Sequence, residues 1–249
     1  METTPLVHSV LHATRLLELY AAQRKESLSL TEISQALGLH KTTVYRLLRT
    51  LQYAGWIEQS AKSSRYRLGT GILLVASAVS VHNTTREILS EEMHRLANQF
   101  NETVVLSVLL GHTGICADMA KSRHTLGLAR ERGYLVPLDQ GASGKTLLAA
   151  QPPELRDSII QEIGGDRTQQ RLLKNQLLHI LQTGYCISEG EVDPGIAAVA
   201  VPLVMKDRIY ALSISGPLER LKALGYTQLA DGLLLAAQRL EQKSALLSD

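Results

Sequence analysis

Apolar residues recur at helical spacing from the start of the chain. In HSVLHATRLLELYAA, Val10, Leu11, Leu16, Leu17 and Leu19 cluster at those spacings and predict an amphipathic helix over about 8–22. The next stretch is SLTEISQALGLHKTTVYRLLRTLQYAGWIEQ. Ser29 with Glu32 has the form of a capping box, so a second helix starts there, with Leu30, Ile33, Ala36 and Leu37 apolar and Gly38 ending it. A third helix over about 41–54 turns Val44, Leu47, Leu48 and Leu51 inward and stops at Gly55. Two short helices, a tight glycine turn and a longer helix make a helix-turn-helix. Trp56, Ile57 and Glu58, the turn QSAKSS and the returning RYRLG add a two-stranded hairpin, the wing of a winged helix.

The pattern then changes. GTGILLVASAVSVHN is helical and apolar, and seventy residues of winged helix cannot cover it. It reads as a linker helix over 71–84 buried against a partner subunit. From Thr85 an amphipathic helix carries Ile88, Leu89, Met93, Leu96, Ala97 and Phe100 on one side. TVVLSVLL and TGICADMA predict strands joined at Gly111 and His112, and GYLVPL an extended piece ending at Pro137. Helices are expected over about 143–151, 153–163 and 168–183. YCISEGE, IAAVAVPLV and IYALSISGP read as strands, and 226–247 as a closing helix. Hairpins and grouped helices, without strict strand–helix alternation, predict an α+β fold with an antiparallel sheet. The expected organisation is a winged helix over 1–70, a linker over 71–84 and a second domain over 85–249.

Composition narrows the classes. The 249 residues are 45% hydrophobic and 20% charged, as in globular proteins. No run of eighteen apolar residues predicts a membrane span, and the first residues lack a basic, then apolar, leader pattern. Cys116 and Cys186 form no CxxC and read as buried thiols in a reducing compartment, so a cytoplasmic protein is expected. Residues 1–70 hold nine Lys+Arg against five Asp+Glu, whereas the remainder holds seventeen against nineteen. A basic module joined to a slightly acidic one points to a polyanion partner for the first.

The third helix carries that reading further. With its apolar residues buried, Lys41, Thr42, Thr43, Tyr45, Arg46 and Arg49 are left outside, mostly in its N-terminal half. A recognition helix enters the major groove by that end. On the wing, Arg65 and Arg67 alternate with Tyr66 and share a face, and Lys62 sits at the tip, suiting the phosphate backbone. Ser29 and Thr31 complete the expected DNA-facing set.

DQGASGKTLLAA poses a separate problem. Gly144, Lys145 and Thr146 match the end of a phosphate-binding loop, but Asp139 stands where its first glycine belongs, and a proline interrupts the preceding run. Gly141 and Ala142 lead into a helix whose first N–H groups are expected to be unpaired, a place for the carboxylate of a small molecule. Ser143 reads as a helix cap, because GASGK falls one residue short of a nucleophile elbow. The eight histidines read as carrying neither an HxxxH nor an HExxH pair, and neither a metal nor a cofactor is expected.

LTEISQALGLHKTTVYRLLRTLQYAGWIE with RYRLG, VPLDQGASGKTLLA, GYCISEGEVDPGIAAVAVP and ALSISGP occur in that order. In these stretches, and from end to end, the chain resembles the IclR family of bacterial transcription regulators. The resemblance implies a winged helix-turn-helix, a linker helix and a GAF-like effector-binding domain. It also implies dimers, often paired into tetramers, on palindromic double-stranded DNA. It places effector contacts at Gly141, Ala142, Ser188, Ala198, Ser213 and Ser215, with Asp118 and Met119 lining the same pocket. Family members that take small oxo acids carry an acid where Ser188 stands and a cysteine where Ala198 stands, so a larger or less polar effector is expected here. The function expected is repression of a catabolic operon under a carboxylate-type metabolite, with activation as the alternative. A hydrolase built on the 141–146 loop and a purely architectural DNA-binding protein are the remaining readings. Glu189 and Glu191 read as solvated or structural.

Overall fold

A computed structural model describes residues 6–23, 25–60, 62–77, 83–124, 131–206 and 208–246. The chain divides into two compact units, Met1–Val81 and His82–Asp249, and the division falls inside the stretch read as a linker.

The first unit contains α1 (His8–Gln23), α2 (Leu30–Leu37), α3 (Lys41–Tyr53), β1 (Ile57–Gln59), β2 (Tyr66–Leu68) and α4 (Gly71–Ser77). Ser29 caps α2 as its sequence predicts: its hydroxyl accepts from Glu32 N–H at 3.2 Å, and its own N–H donates to the Glu32 carboxylate at 2.8 Å. Gly38 closes the helix at φ +64°, a left-handed conformation that favours glycine. Leu16, Leu28, Ile33, Val44, Leu48 and Ile57 form the centre of the core, all almost fully buried. Each such aliphatic side chain contributes roughly 1.5–3 kcal/mol by leaving water. β1 pairs antiparallel with β2, Glu58 opposite Arg67. Leu28 adds a bridge that the sequence did not disclose, exchanging two 2.8 Å backbone bonds with Tyr66. The α4 residues Leu73, Leu74 and Val75 are exposed within this unit, and residues 78–82 of the expected linker lie outside the described residues.

The second unit runs α5 (Asn83–Phe100), β3 (Thr103–Leu110), β4 (Thr113–Ala120), β5 (Leu135–Val136), α6 (Gly141–Ala149), α7 (Pro153–Ile163), α8 (Arg167–Thr183), β6 (Cys186–Glu189), β7 (Ile196–Met205), β8 (Arg208–Pro217), α9 (Leu218–Leu224) and α10 (Tyr226–Leu246). Its sheet has the order β5-β4-β3-β8-β7-β6 with every neighbour antiparallel. The expected α+β class therefore holds. One core joins α5 and α10 to the sheet, through Met93, Leu96, Leu233 and Leu240 with Leu106, Val199, Val201, Leu212 and Ile214. A second core joins α6, α7 and α8 to the other face, through Leu147, Leu148, Ile160, Leu177 and Ile180 with Cys186, Ala200 and Ala211.

Two elements depart from expectation. Helix α9 has no counterpart in the sequence pattern, because seven residues between Pro217 and Gly225 are too few for a helical period to register. Helix α6 starts at Gly141, two residues early, and its N-cap Gln140 makes no side-chain cap bond. Ser143 is therefore inside the first turn and is not the cap.

Candidate functional site

In the first unit, α3 buries Val44, Leu48 and Leu51 and exposes Lys41, Thr42, Thr43, Tyr45, Arg46 and Arg49. The N-cap His40 makes no side-chain cap bond, and its carbonyl accepts from Thr43 N–H at 3.0 Å and Val44 N–H at 3.1 Å. Lys41, Arg46, Arg49 and Lys62 enter no ion pair among the described residues. Thr31 is exposed in the first turn of α2, while the Ser29 hydroxyl already accepts the capping bond.

The wing arginines are differently placed from that simple picture. The Arg65 guanidinium donates to the Ser27 hydroxyl at 3.1 Å, the Ser27 carbonyl at 3.0 Å and Glu32 at 2.8 Å. It ties the wing to the α2 capping box, a role its period-two position on the strand could not reveal. Arg67 pairs with Glu58 across the hairpin at 2.8 Å and is more than half exposed. Glu32 collects the backbone and side-chain bonds of Ser29 and then Lys25, and these hold its carboxyl down at about 2.

In the second unit, register gathers most of the resemblance-derived effector positions. Ser188 pairs with Ala198, Ala198 with Ser215 and Ser215 with Thr103. Two residues along each strand, Cys186 pairs with Ala200, Ala200 with Ser213, Ser213 with Val105 and Val105 with Met119. Cross-strand partners share a face, and so do residues two apart. Ser188, Ala198, Ser213, Ser215 and Met119 therefore lie on one face, the one covered by α6.

Asp118 does not join them. It pairs with Leu106, on the α5 and α10 face, and strand alternation sends it away from Met119. Its carboxylate instead accepts from Arg132 at 2.8 Å and from Met119 N–H at 2.7 Å. The expectation that Asp118 and Met119 line one pocket is corrected by period two.

Helix α6 covers the Ala198 face of the sheet. Gly144 is required by packing: a Cβ there would stand 1.6 Å from the Pro137 carbonyl oxygen. This explains the glycine before Lys145 without any phosphate. The N–H groups at the start of α6 are not open as expected. Gly141 N–H donates to Glu191 at 2.8 Å, and Ala142 N–H donates to the Ser188 hydroxyl at 2.9 Å. Strand β6, through Ser188, and the β6–β7 connection, through Glu191, thus cap α6 from outside its own sequence neighbourhood. Lys145, 5% exposed in its side chain, donates to the other Glu191 oxygen at 2.8 Å. Ser143 donates to Ser213 at 2.9 Å, and Ser213 to the Val105 carbonyl at 3.3 Å.

Sequence reasoning left Lys145 and Glu191 out of the site. They stand 46 residues apart, and only the hairpin geometry joins them. Burial pushes the Cys186 thiol on this face up to about 11, with Lys145 pulling down and Glu191 pushing up. It is a neutral wall. Ser107, two residues from Val105 on β3, also faces α6, and Thr146 lies one turn beyond Ser143. Both hydroxyls are fully buried and have no hydrogen-bond partner among the described residues.

No group of three or more His, Cys, Asp or Glu suited to a metal occurs among the described residues. His8 and His12 do stand four apart on α1, at the spacing of a two-histidine pair, with ring centroids 6.4 Å apart. Among the described helices none is long and apolar enough to cross a membrane.

Comparison with known proteins agrees across both units. The family model for the IclR helix-turn-helix domain matches residues 9–61, and that for the bacterial transcriptional regulator IclR C-terminal domain matches residues 76–242. The chain is 27% identical over 248 residues to the acetate operon repressor of Salmonella typhimurium, covering 95% of this chain and 90% of that one. It superposes on a crystal structure of an IclR family transcriptional regulator from Brucella abortus with a TM-score of 0.83 and 25% identity, covering 97% and 94% of the two chains. An IclR homolog from Microbacterium hydrocarbonoxydans, solved in complex with 4-hydroxybenzoate, shares the fold at a TM-score of 0.74 and 21% identity over 96% and 99%. With a helix-turn-helix in the first unit, α6 over the antiparallel sheet in the second, and both matched to one family of regulators, the chain belongs to the IclR family of DNA-binding bacterial transcriptional regulators, which are not enzymes.

Proposed function

We propose that this regulator represses an operon and that a small organic molecule, bound between α6 and the sheet, controls its grip on DNA. The observation that supports the effector side is the composition of the sheet face under α6. Small and hydroxyl-bearing residues, Ser188, Ala198, Ser213 and Ser215, stand in two adjacent cross-strand rows under α6. The buried, unpartnered hydroxyls of Ser107 and Thr146 suit a ligand that brings hydrogen-bonding groups, since leaving each unpaired costs roughly 1–3 kcal/mol. The complex of the Microbacterium homolog with 4-hydroxybenzoate supports a small organic acid as the ligand class. Repression follows the name of the Salmonella relative.

On the DNA side, Lys41, Thr42, Thr43, Tyr45, Arg46 and Arg49 enter the major groove. Lys62 and Arg67 hold phosphates, and Thr31 and the Ser29 hydroxyl proton reach the backbone beside α2. Arg65 drops out of the phosphate set because Glu32 and Ser27 hold it. The exposed Leu73, Leu74 and Val75 of α4 are covered by a second copy. A two-fold dimer then reads an inverted repeat whose half-sites lie about one helical turn apart. The effector acts by binding one arrangement of the dimer better than the other.

The test is selection of the full chain against a random duplex pool at physiological salt. An enriched inverted repeat is the expected result. A pool that stays flat both without and with small-molecule extract refutes the reading.

A further inference from the structure

The start of α6 already holds a carboxylate, and it belongs to the chain. One Glu191 oxygen accepts from Gly141 N–H and the other from Lys145, each at 2.8 Å. The residue sits in the short turn 190–195 between β6 and β7, where Gly190 N–H donates to the Ile196 carbonyl at 2.8 Å. The turn presses against the helix: a Cβ on Gly141 would meet Val192 Cγ2 at 2.8 Å. The two partners are unequal. The Lys145 side chain is 5% exposed, whereas that of Glu191 is 34% exposed. A buried ammonium needs its counter-charge, because an unpaired charge away from water is strongly unfavourable. The Glu191 carboxylate, a third exposed, already borders water and can pass into it once another anion takes its place beside Lys145.

We propose that Glu191 is a built-in occupant of the effector site, a latch released by exchange with a carboxylate on the incoming molecule. The inference rests on the effector reading above and names how that site opens. When the ligand carboxylate takes the Gly141 N–H and Lys145, the charge inside the pocket is unchanged and Glu191 passes to solvent. A neutral ligand leaves Lys145 unpaired, so it cannot open the latch. Release removes the two bonds from Glu191 to α6, and the 190–195 turn joins β6, which carries Ser188, to β7, which carries Ala198, so opening is felt along both strands.

The test is chemical rescue in the full chain. Glu191→Ala removes the internal carboxylate and leaves Lys145 buried without a partner. Its thermal midpoint, followed by circular dichroism, is expected to fall by roughly 5–10 °C. Sodium propionate restores most of that loss saturably. Sodium chloride at equal ionic strength and propionamide do not, and wild type responds only at concentrations at least about tenfold higher, a difference of about 1.4 kcal/mol. Glu191→Ala combined with Lys145→Met abolishes the rescue. Equal rescue by propionamide, or a wild type saturating at the same propionate concentration, overturns the proposal. If Glu191→Ala fails to fold, Glu191→Gln serves: it keeps an acceptor for Gly141 N–H, loses the charge, and is expected to take propionate at least about tenfold more tightly than wild type. Equal affinity overturns the proposal. Operator binding by fluorescence anisotropy separates the two layers. If propionate saturates Glu191→Ala and operator affinity does not change, the latch stands and the reading of this pocket as the effector site falls.

Discussion

Replacing Gly144 by alanine adds one methyl group at a place where the structure leaves no room. The new Cβ would sit 1.6 Å from the Pro137 oxygen, 2.8 Å from the Pro137 carbonyl carbon and 3.1 Å from Leu138 Cα. Ordinary contact begins near 3.4 Å. Helix α6 or the 137–138 backbone must therefore retreat by about 1.8 Å. All three obstacles are main-chain atoms, so no side-chain rotation relieves them. The helix also carries Ala142, Leu147, Leu148 and Ala149 into the second core, and its displacement loosens that core as well. Overpacking costs about 1–3 kcal/mol where side chains can adjust, and a backbone clash of this depth raises the figure to about 3–5 kcal/mol. For a unit of this size that is a loss of roughly 10 °C in Tm. The assay has an internal control. The single tryptophan, Trp56, reports the first unit, whereas circular dichroism is dominated by the larger second one. The dichroism transition is expected to move and the Trp56 transition to stay. If Gly144 cradled a phosphate instead, Gly144→Ala would fold normally and lose stabilisation by ATP. A mutant within about 1 kcal/mol of wild type refutes the packing argument.

Three further outcomes follow from the same geometry. Arg46→Ala should flatten discrimination between the selected operator and scrambled duplex, whereas Lys62→Ala should weaken both alike and lower the salt slope by about one, as measured by anisotropy titrations. Glu32, held at about 2 against an ordinary value of 4.5, contributes stability to the first unit that is present above pH 4.5 and lost as pH falls towards 2. Trp56-monitored unfolding should track that loss, and Glu32→Gln should flatten it; an unchanged slope in the mutant contradicts the assignment. Ser215→Ala should bind operator like wild type and respond weakly to whichever effector releases wild type, and a full response would remove Ser215 from the pocket.

The winged helix was legible almost residue by residue. Its signals are local: the capping pair Ser29 and Glu32, the left-handed Gly38, and the apolar spacing of Val44, Leu48 and Leu51 each act within a turn or two. The main strands of the second unit were legible as short, largely apolar runs bounded by turn residues. What remained hidden depends on partners distant in sequence. Arg65 reads as a phosphate contact on the wing, and only folding shows that Ser27 and Glu32, 38 and 33 residues away, already hold it. Asp118 beside Met119 reads as a neighbour in one pocket, and the register with Leu106 turns it to the opposite face.

The GASGKT stretch divides the two kinds of knowledge most clearly. The sequence by itself weighed against a phosphate-binding loop, because Asp139 lacks the conformational freedom of the missing glycine. It also determined that a helix follows and that the chain carries an IclR-type regulator architecture. Tertiary structure decided what the loop does. It set Gly144 against the Pro137 backbone, and it brought Glu191 across from the β6–β7 turn onto Gly141 and Lys145. Local pattern fixes which face of an element is apolar, since that depends on residues within a few positions. Which carboxylate ends on which buried lysine depends on the closure of the sheet, and no local period encodes it.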